Sequence, residues 1–168
     1  EIVEFGRKCD ILTYEIEHIN VEALKTLENE GIQVYPQAKT LETIQNKNTQ
    51  KCFFKEKNIP TSNFKYYENL HILKQQSEDI IFPCVWKKTT FGYDGFGVKV
   101  LKSLQDLDSL DQGECIIEDL VDIEQELSVI VARNKSGDYR SYSPVEMIFN
   151  QKSNQVEYVI EPAQINYS

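Results

Sequence analysis

Residues 92–97 read Gly-Tyr-Asp-Gly-Phe-Gly and follow an apolar run that closes in two lysines, Phe82-Pro83-Cys84-Val85-Trp86-Lys87-Lys88. Three glycines in six residues leave backbone N–H groups unshielded by side chains, so such a loop can close over a phosphate chain. A lysine at the end of the preceding strand adds a mobile positive charge for the same phosphates. The ligand that suits this pairing is a nucleoside triphosphate. A glycine hairpin that binds nothing is the competing reading, and the loop alone does not decide between them.

Two further groups carry charge in a pattern. Glu15-Ile16-Glu17-His18 ends a segment rich in β-formers, and in an extended chain Glu15 and Glu17 point to one side. Solvated strand-end charges are the bland account of that pair. Lys47 and Lys51 stand four apart, on one face of a predicted helix, where such a pair is ordinarily solvated. His18 and His71 lie too far apart in the sequence to suggest a zinc site. The four cysteines (Cys9, Cys52, Cys84, Cys115) form no Cys-x-x-Cys pair, which fits a reduced, cytoplasmic setting. Cys84 and Cys115 fall in apolar runs and read as small core residues.

The elements that must position these groups alternate. Cys9–Ile16 reads as a strand, 21–30 as a helix stopped by Gly31, and Ile32–Pro36 as a short strand. A strand–helix–strand unit predicts a parallel α/β sheet, with ligands beyond the carboxyl ends of its strands, where Glu15 and Glu17 would sit. Residues 39–57 read as one long amphipathic helix burying Leu41, Ile44, Phe53 and Phe54. Strands are predicted over Phe64–Tyr67, Ile80–Lys87, Val98–Leu101 and Glu114–Glu118, with helices over Asn69–Gln76 and Ser103–Leu110. The result is a small α+β unit from which the glycine loop protrudes as a hairpin. An antiparallel meander follows, with strands over Glu126–Arg133, Tyr139–Phe149 and Val156–Ile160.

Composition narrows the function classes. The chain has 168 residues, 18 basic against 27 acidic, for a net charge of −9, and no basic patch of the kind a nucleic acid needs. With 40% apolar residues it can bury a core. No run approaches the roughly 20 apolar residues of a membrane span. Glu1-Ile2-Val3-Glu4 lacks a starting Met, and the expectation is a segment of a longer protein.

In order along the chain, Thr13-Tyr14-Glu15-Ile16-Glu17-His18, Gln50-Lys51, Lys87, Gly92-Tyr93-Asp94-Gly95-Phe96-Gly97, Ile117-Glu118 and Glu126–Arg133 carry a specific resemblance. The sequence resembles the N5-carboxyaminoimidazole ribonucleotide synthases of de novo purine synthesis, ATP-grasp enzymes also called the ATPase subunit of phosphoribosylaminoimidazole carboxylase. The resemblance runs over essentially the whole chain. It implies an α/β and α+β chain with a partial ATP-grasp fold. Residues 1–37 would be the tail of an amino-terminal parallel α/β domain and 38–59 a connecting helix. Residues 60–118 would form the lid, and 119–168 the start of the carboxy-terminal ATP-grasp part.

The same resemblance implies roles. Lys87 would contact ATP phosphates, and Gly92, Tyr93, Asp94, Gly95, Phe96, Gly97 and Val98 would cover them. Glu118, Asp119, Leu120 and Val121 would hold the adenine, partly through the main chain, and Glu126 would accept the ribose hydroxyls. Lys47 stands where the family usually has an ATP-contacting arginine, keeping charge but losing the planar fork. Glu15, Tyr93 and Asp94 would face the aminoimidazole ribonucleotide, with Asp94 as the catalytic residue that orients its amine and takes its proton. Near Asn150 many relatives carry a histidine that this chain lacks.

The implied reaction uses ATP to phosphorylate bicarbonate to carboxyphosphate, and the ribonucleotide amine captures the carbon dioxide released. Mg²⁺ would assist, with its ligands outside this chain, so that the 168 residues alone would not turn over. The implied partners are ATP, bicarbonate and the ribonucleotide, without nucleic acid or membrane, in a cytoplasmic homodimer. Another ATP-grasp ligase or carboxylase, or a nucleotide-binding module without chemistry, are the alternatives.

Overall fold

Asn20 and Gly31 punctuate the amino-terminal segment as their chemistry dictates. The segment runs through α1 (Ile2–Gly6), β1 (Ile11–Thr13), α2 (Val21–Asn29) and β2 (Gln33–Tyr35) in the computed structural model, which describes residues 1–92, 97–150 and 155–165. The Asn20 carboxamide accepts the Ala23 N–H at 2.8 Å and caps α2. Gly31, at φ +90°, ends it with the Ile32 N–H donating back to the Leu27 carbonyl. β1 and β2 pair in parallel, Leu12 opposite Val34. Leu24, Leu27, Val34, Ala38 and Leu41 make the core beneath them. Gly6 is buried against this core, where a Cβ would collide with Leu27 Cδ1.

β1 is shorter than the predicted Cys9–Ile16. Its partner β2 runs out at Pro36, which has no N–H to offer the ladder, and the chain after Thr13 departs from the extended form. Glu15 and Glu17 therefore do not share the side of a strand.

The predicted single helix over 39–57 is two helices, α3 (Ala38–Gln45) and α4 (Lys47–Glu56). Asn46 adopts an extended conformation between them, and its side chain accepts the Thr49 N–H at 3.1 Å, restarting the helix as an N-cap. Leu41 is buried as expected, but Phe53 is exposed.

The next segment comprises β3 (Phe64–Tyr67), α5 (Leu70–Gln75), β4 (Cys84–Lys88), β5 (Val98–Leu101) and β6 (Cys115–Asp119). The strands form an antiparallel sheet in the order β3-β6-β4-β5, packed on a core of Trp86, Leu73, Leu101, Leu107 and Cys115. Ile80–Pro83, predicted as strand, lies outside β4. Ser103 and Asp106 form a reciprocal capping box on the 3₁₀ turn Leu104–Ser109. β4 and β5 are the arms of the hairpin that carries the glycine loop, with Lys87 opposite Val98. Gly97, at φ +76°, closes the described base of the hairpin, its carbonyl accepting the Lys88 N–H at 2.9 Å.

These elements belong to one compact unit, Glu1–Leu120, and the rest to a second, Val121–Ser168. The second unit holds β7 (Leu127–Ser128), β8 (Val131–Arg133), β9 (Tyr139–Ser141), β10 (Val145–Asn150) and β11 (Gln155–Ile160). Its sheets run β11-β10-β7 and β8-β9. The predicted strand Glu126–Arg133 is split at Val129 and Ile130, because its two halves pair with different partners, and Tyr139–Phe149 is split likewise at Tyr142–Pro144. Among the described residues no helix is long and apolar enough to cross a membrane.

Candidate functional site

Strand β4 aims its two terminal lysines at different acids. Side chains alternate along a strand, so Lys87 and Lys88 leave on opposite faces. Lys88 Nζ lies 2.9 Å from Asp111 Oδ2 and holds that carboxyl below its usual range. Lys87 Nζ lies 3.1 Å from Oε2 of Glu118 on the adjacent strand β6, where Val85 and Glu118 stand in register.

Glu118 is the centre of the arrangement. Its side chain is 7% exposed, and three donors, from α4, β4 and the loop before β3, converge on Oε2. Besides Lys87 these are the Ser62 hydroxyl at 2.9 Å and Lys51 Nζ, from α4, at 3.2 Å. Burial by itself would push the Glu118 carboxyl up. Lys87, Ser62 and Lys51 together overcome it, so the group sits below its ordinary value and is ionised at neutral pH. Lys51, expected on a solvated face, is instead buried. It donates to Thr61 Oγ1 at 2.8 Å and to the Ser62 carbonyl at 3.1 Å. Its ammonium stands 5.5 Å from the Phe64 ring centroid, within reach of a cation–π attraction. Sequence reasoning assigns no role to Lys51 or Ser62; the Gln50-Lys51 dipeptide is the available signal.

Lys47 opens α4 and sits at the glycine loop. Its N–H donates to the Thr89 carbonyl at 2.8 Å, tying the helix to the end of β4. Thr89 is buried against Glu114, whose main-chain carbonyl accepts its N–H at 3.2 Å. Lys47 then lines a cleft of about 390 Å³ together with Glu17, His18, Gln45, Phe91 and Gly92. Gln45 Nε2 donates to the Glu17 and Ile19 carbonyls at 2.6 and 2.7 Å, which fixes the acidic segment against α3. Phe91 has φ +58°, an unfavourable conformation for an aromatic residue. Its ring stacks on His18 with centroids 6.4 Å apart. Strained backbone of this sort gathers at ligand clamps.

The structure thus brings Lys47 and Gly92 to the cleft and places Lys87 on Glu118, all within the first unit. Glu17, not Glu15, lines the cleft; Glu15 is exposed. Tyr93, Asp94, Gly95 and Phe96 lie outside the described residues. Val98 begins β5. Asp119 ends β6, with its N–H donated to the Asn63 carbonyl and its carboxylate accepting from Asn63 Nδ2 at 2.8 Å. Leu120 is exposed just beyond. Val121 and Glu126 belong to the second unit, where the Glu126 carbonyl accepts the Met147 N–H at 2.9 Å. Asn150 ends β10 there.

Burial pushes the Cys84 and Cys115 thiols up, so both are neutral packing groups and not nucleophiles. Among the described residues no three His, Cys, Asp or Glu side chains gather to hold a metal ion. What the first unit offers is fixed positive charge beside a glycine loop, with a buried anion to organise it.

The chain is similar to known proteins over most of its length. Residues 52–168 match the ATP-grasp domain, and residues 1–45 match the ribonucleotide synthetase preATP-grasp domain. The N5-carboxyaminoimidazole ribonucleotide synthase of Synechococcus elongatus is 30% identical over 96% of this chain and 42% of its own length. The crystal structure of N5-carboxyaminoimidazole ribonucleotide synthetase from Thermotoga maritima superposes with a TM-score of 0.80 at 36% identity, covering 99% of this chain and 42% of that one. Carboxyaminoimidazole ribonucleotide synthase from Aspergillus clavatus, complexed with ATP, superposes with a TM-score of 0.84 at 29% identity, covering 96% and 43%. The chain therefore spans 42% to 43% of the length of these relatives.

Proposed function

This chain belongs to the ATP-grasp family, and on that footing we propose that it is part of an enzyme that uses ATP to carboxylate aminoimidazole ribonucleotide. The observation that carries the proposal is the placement of Lys47 and Lys87. They come from different elements, α4 and β4, and the Lys47 N–H···O=C Thr89 bond ties those elements together at the root of the glycine loop. Two cations flanking a loop of bare N–H groups suit a triphosphate.

In this reading bicarbonate oxygen attacks the terminal phosphorus of ATP, and ADP leaves. Carboxyphosphate then breaks its C–O bond to give carbon dioxide and phosphate. The ribonucleotide amine attacks that carbon dioxide and loses a proton to form the carbamate. Phosphoryl transfer asks the protein mainly for positioning and charge neutralisation, which Lys47, Lys87 and the loop amides supply. Asp94, between the loop glycines, orients the amine and receives its proton. Glu17, in the cleft with Lys47, is a further candidate for the substrate-facing place that the resemblance gives to Glu15. Glu118, Asp119, Leu120 and Val121 remain the candidates for the adenine, partly through the main chain, and Glu126 for the ribose. Mg²⁺ would supply further neutralisation of phosphate charge when bound; among the described residues no three His, Cys, Asp or Glu side chains gather to hold it. A cytoplasmic homodimer accompanies the reading, and four free cysteines suit that compartment.

Lys87→Ala tests the phosphate contact. In the gene product that carries this chain, ATP affinity should fall by about 1.5–3 kcal/mol, the range for a charged hydrogen bond, or roughly ten- to hundredfold. Calorimetric titration reads it directly. Unchanged affinity would reduce Lys87 to a structural partner of Glu118.

A further inference from the structure

Glu118 has two lysines where charge balance needs one. Lys51 and Lys87 both lie within 3.2 Å of the same carboxylate oxygen, so the cluster carries one surplus positive charge. The two cations are held differently. Lys51 is 10% exposed at its side chain and is fixed by Thr61 Oγ1, the Ser62 carbonyl and Ser62 Oγ besides Glu118. Lys87 is 28% exposed and stands at the end of β4, beside the glycine loop. One lysine is built in and the other is free to be drawn away.

We propose that Lys51 is a positioning residue for ATP binding: it neutralises Glu118 permanently, so that Lys87 can leave that carboxylate for the nucleotide phosphates. The inference rests on the ATP reading above. The physical ground is the instability of a stranded buried ion. A carboxylate this buried resists losing its last cation, because desolvation disfavours the bare charge. With Lys51 in place, departure of Lys87 leaves a neutral pair, still hydrogen-bonded by Ser62. Without Lys51, Glu118 and Lys87 hold each other, and the phosphates must compete with a buried carboxylate for the same ammonium. Ser62 supports the arrangement by accepting from Lys51 while donating to Glu118.

The test measures ATP and adenosine affinities by calorimetry in the gene product that carries this chain, for wild type and for Lys51→Met. ATP affinity should fall tenfold or more while adenosine affinity stays within twofold, because only phosphates compete for Lys87. Lys51→Arg should restore ATP affinity to within threefold. In a Glu118→Gln background, where no buried anion holds Lys87, Lys51→Met should change ATP affinity by less than twofold. Lys51→Gln repeats the comparison if Lys51→Met does not fold, as read by thermal melting. Equal losses for ATP and adenosine, or an undiminished ATP affinity in a folded variant, overturn the proposal. A wild-type protein that fails to bind ATP overturns the functional reading itself, a separate result.

Discussion

Asp94→Asn is expected to cost the gene product that carries this chain about 10²- to 10⁴-fold in carboxylation rate, the range for a positioned acid–base group. ATP affinity should stay within about twofold of wild type if, as proposed, the carboxylate serves the amine and not the phosphates. The substitution is nearly isosteric and removes the group that can receive a proton. Product formation by chromatography and nucleotide binding by calorimetry are read on the same preparation. Parallel loss of both would give Asp94 a different duty, holding the hairpin turn through its side chain as aspartates commonly do.

Glu118→Ala is expected to destabilise the first unit by about 3–5 kcal/mol, the cost of removing one partner from a buried ion cluster. Lys51 would be left buried beside a second lysine with no anion between them. Urea denaturation followed by circular dichroism measures the loss as a lower midpoint at unchanged slope. A loss no larger than an exposed ion pair gives, about 0–1 kcal/mol, would mean that the cluster is effectively solvated. The pH dependence has a definite sign. The folded-state value of Glu118 is depressed, so its contribution is present above the unfolded carboxyl range. It is lost as pH falls through the lower, folded-state value. Stability should therefore decline on acidification below about pH 4.5, and Glu118→Gln should remove part of that slope.

What the sequence made legible is local. Val21, Leu24 and Leu27 at helical spacing, with Gly31 after, specify α2 without help from the rest of the fold. The alternation over Cys84–Lys88 and the glycines beyond it specify a strand entering a hairpin. Length and continuity were harder. Pro36 shortens β2 and with it β1, an effect that arises only once the two strands are paired. Asn46 reads as one more polar residue on an amphipathic helix, yet its side chain makes a better cap than a helix interior. Val129 and Ile130 continue a β-forming apolar run while the chain changes sheets, and such a run does not record which strand is the partner.

The site divides along the same line. Lys87 and the glycine loop are neighbours in sequence, so the pairing on which the proposal rests is visible there. Lys51 meets Ser62 across 11 positions of chain and Glu118 from much farther still, so a helix-face pattern could only assign it to solvent. Glu17 is held at the cleft because Gln45, on a helix that follows much later, pins the Glu17 and Ile19 carbonyls. Contacts of this range need the fold, not the spacing.

The most direct measurement of the central claim is ATP turnover by the gene product that carries this chain, with bicarbonate and aminoimidazole ribonucleotide each added and withheld. The account predicts one ADP and one phosphate released for each N5-carboxyaminoimidazole ribonucleotide formed, with product appearing only when all three substrates are present. ATP hydrolysis indifferent to bicarbonate and to the ribonucleotide, or nucleotide binding with no turnover under any combination, would contradict it.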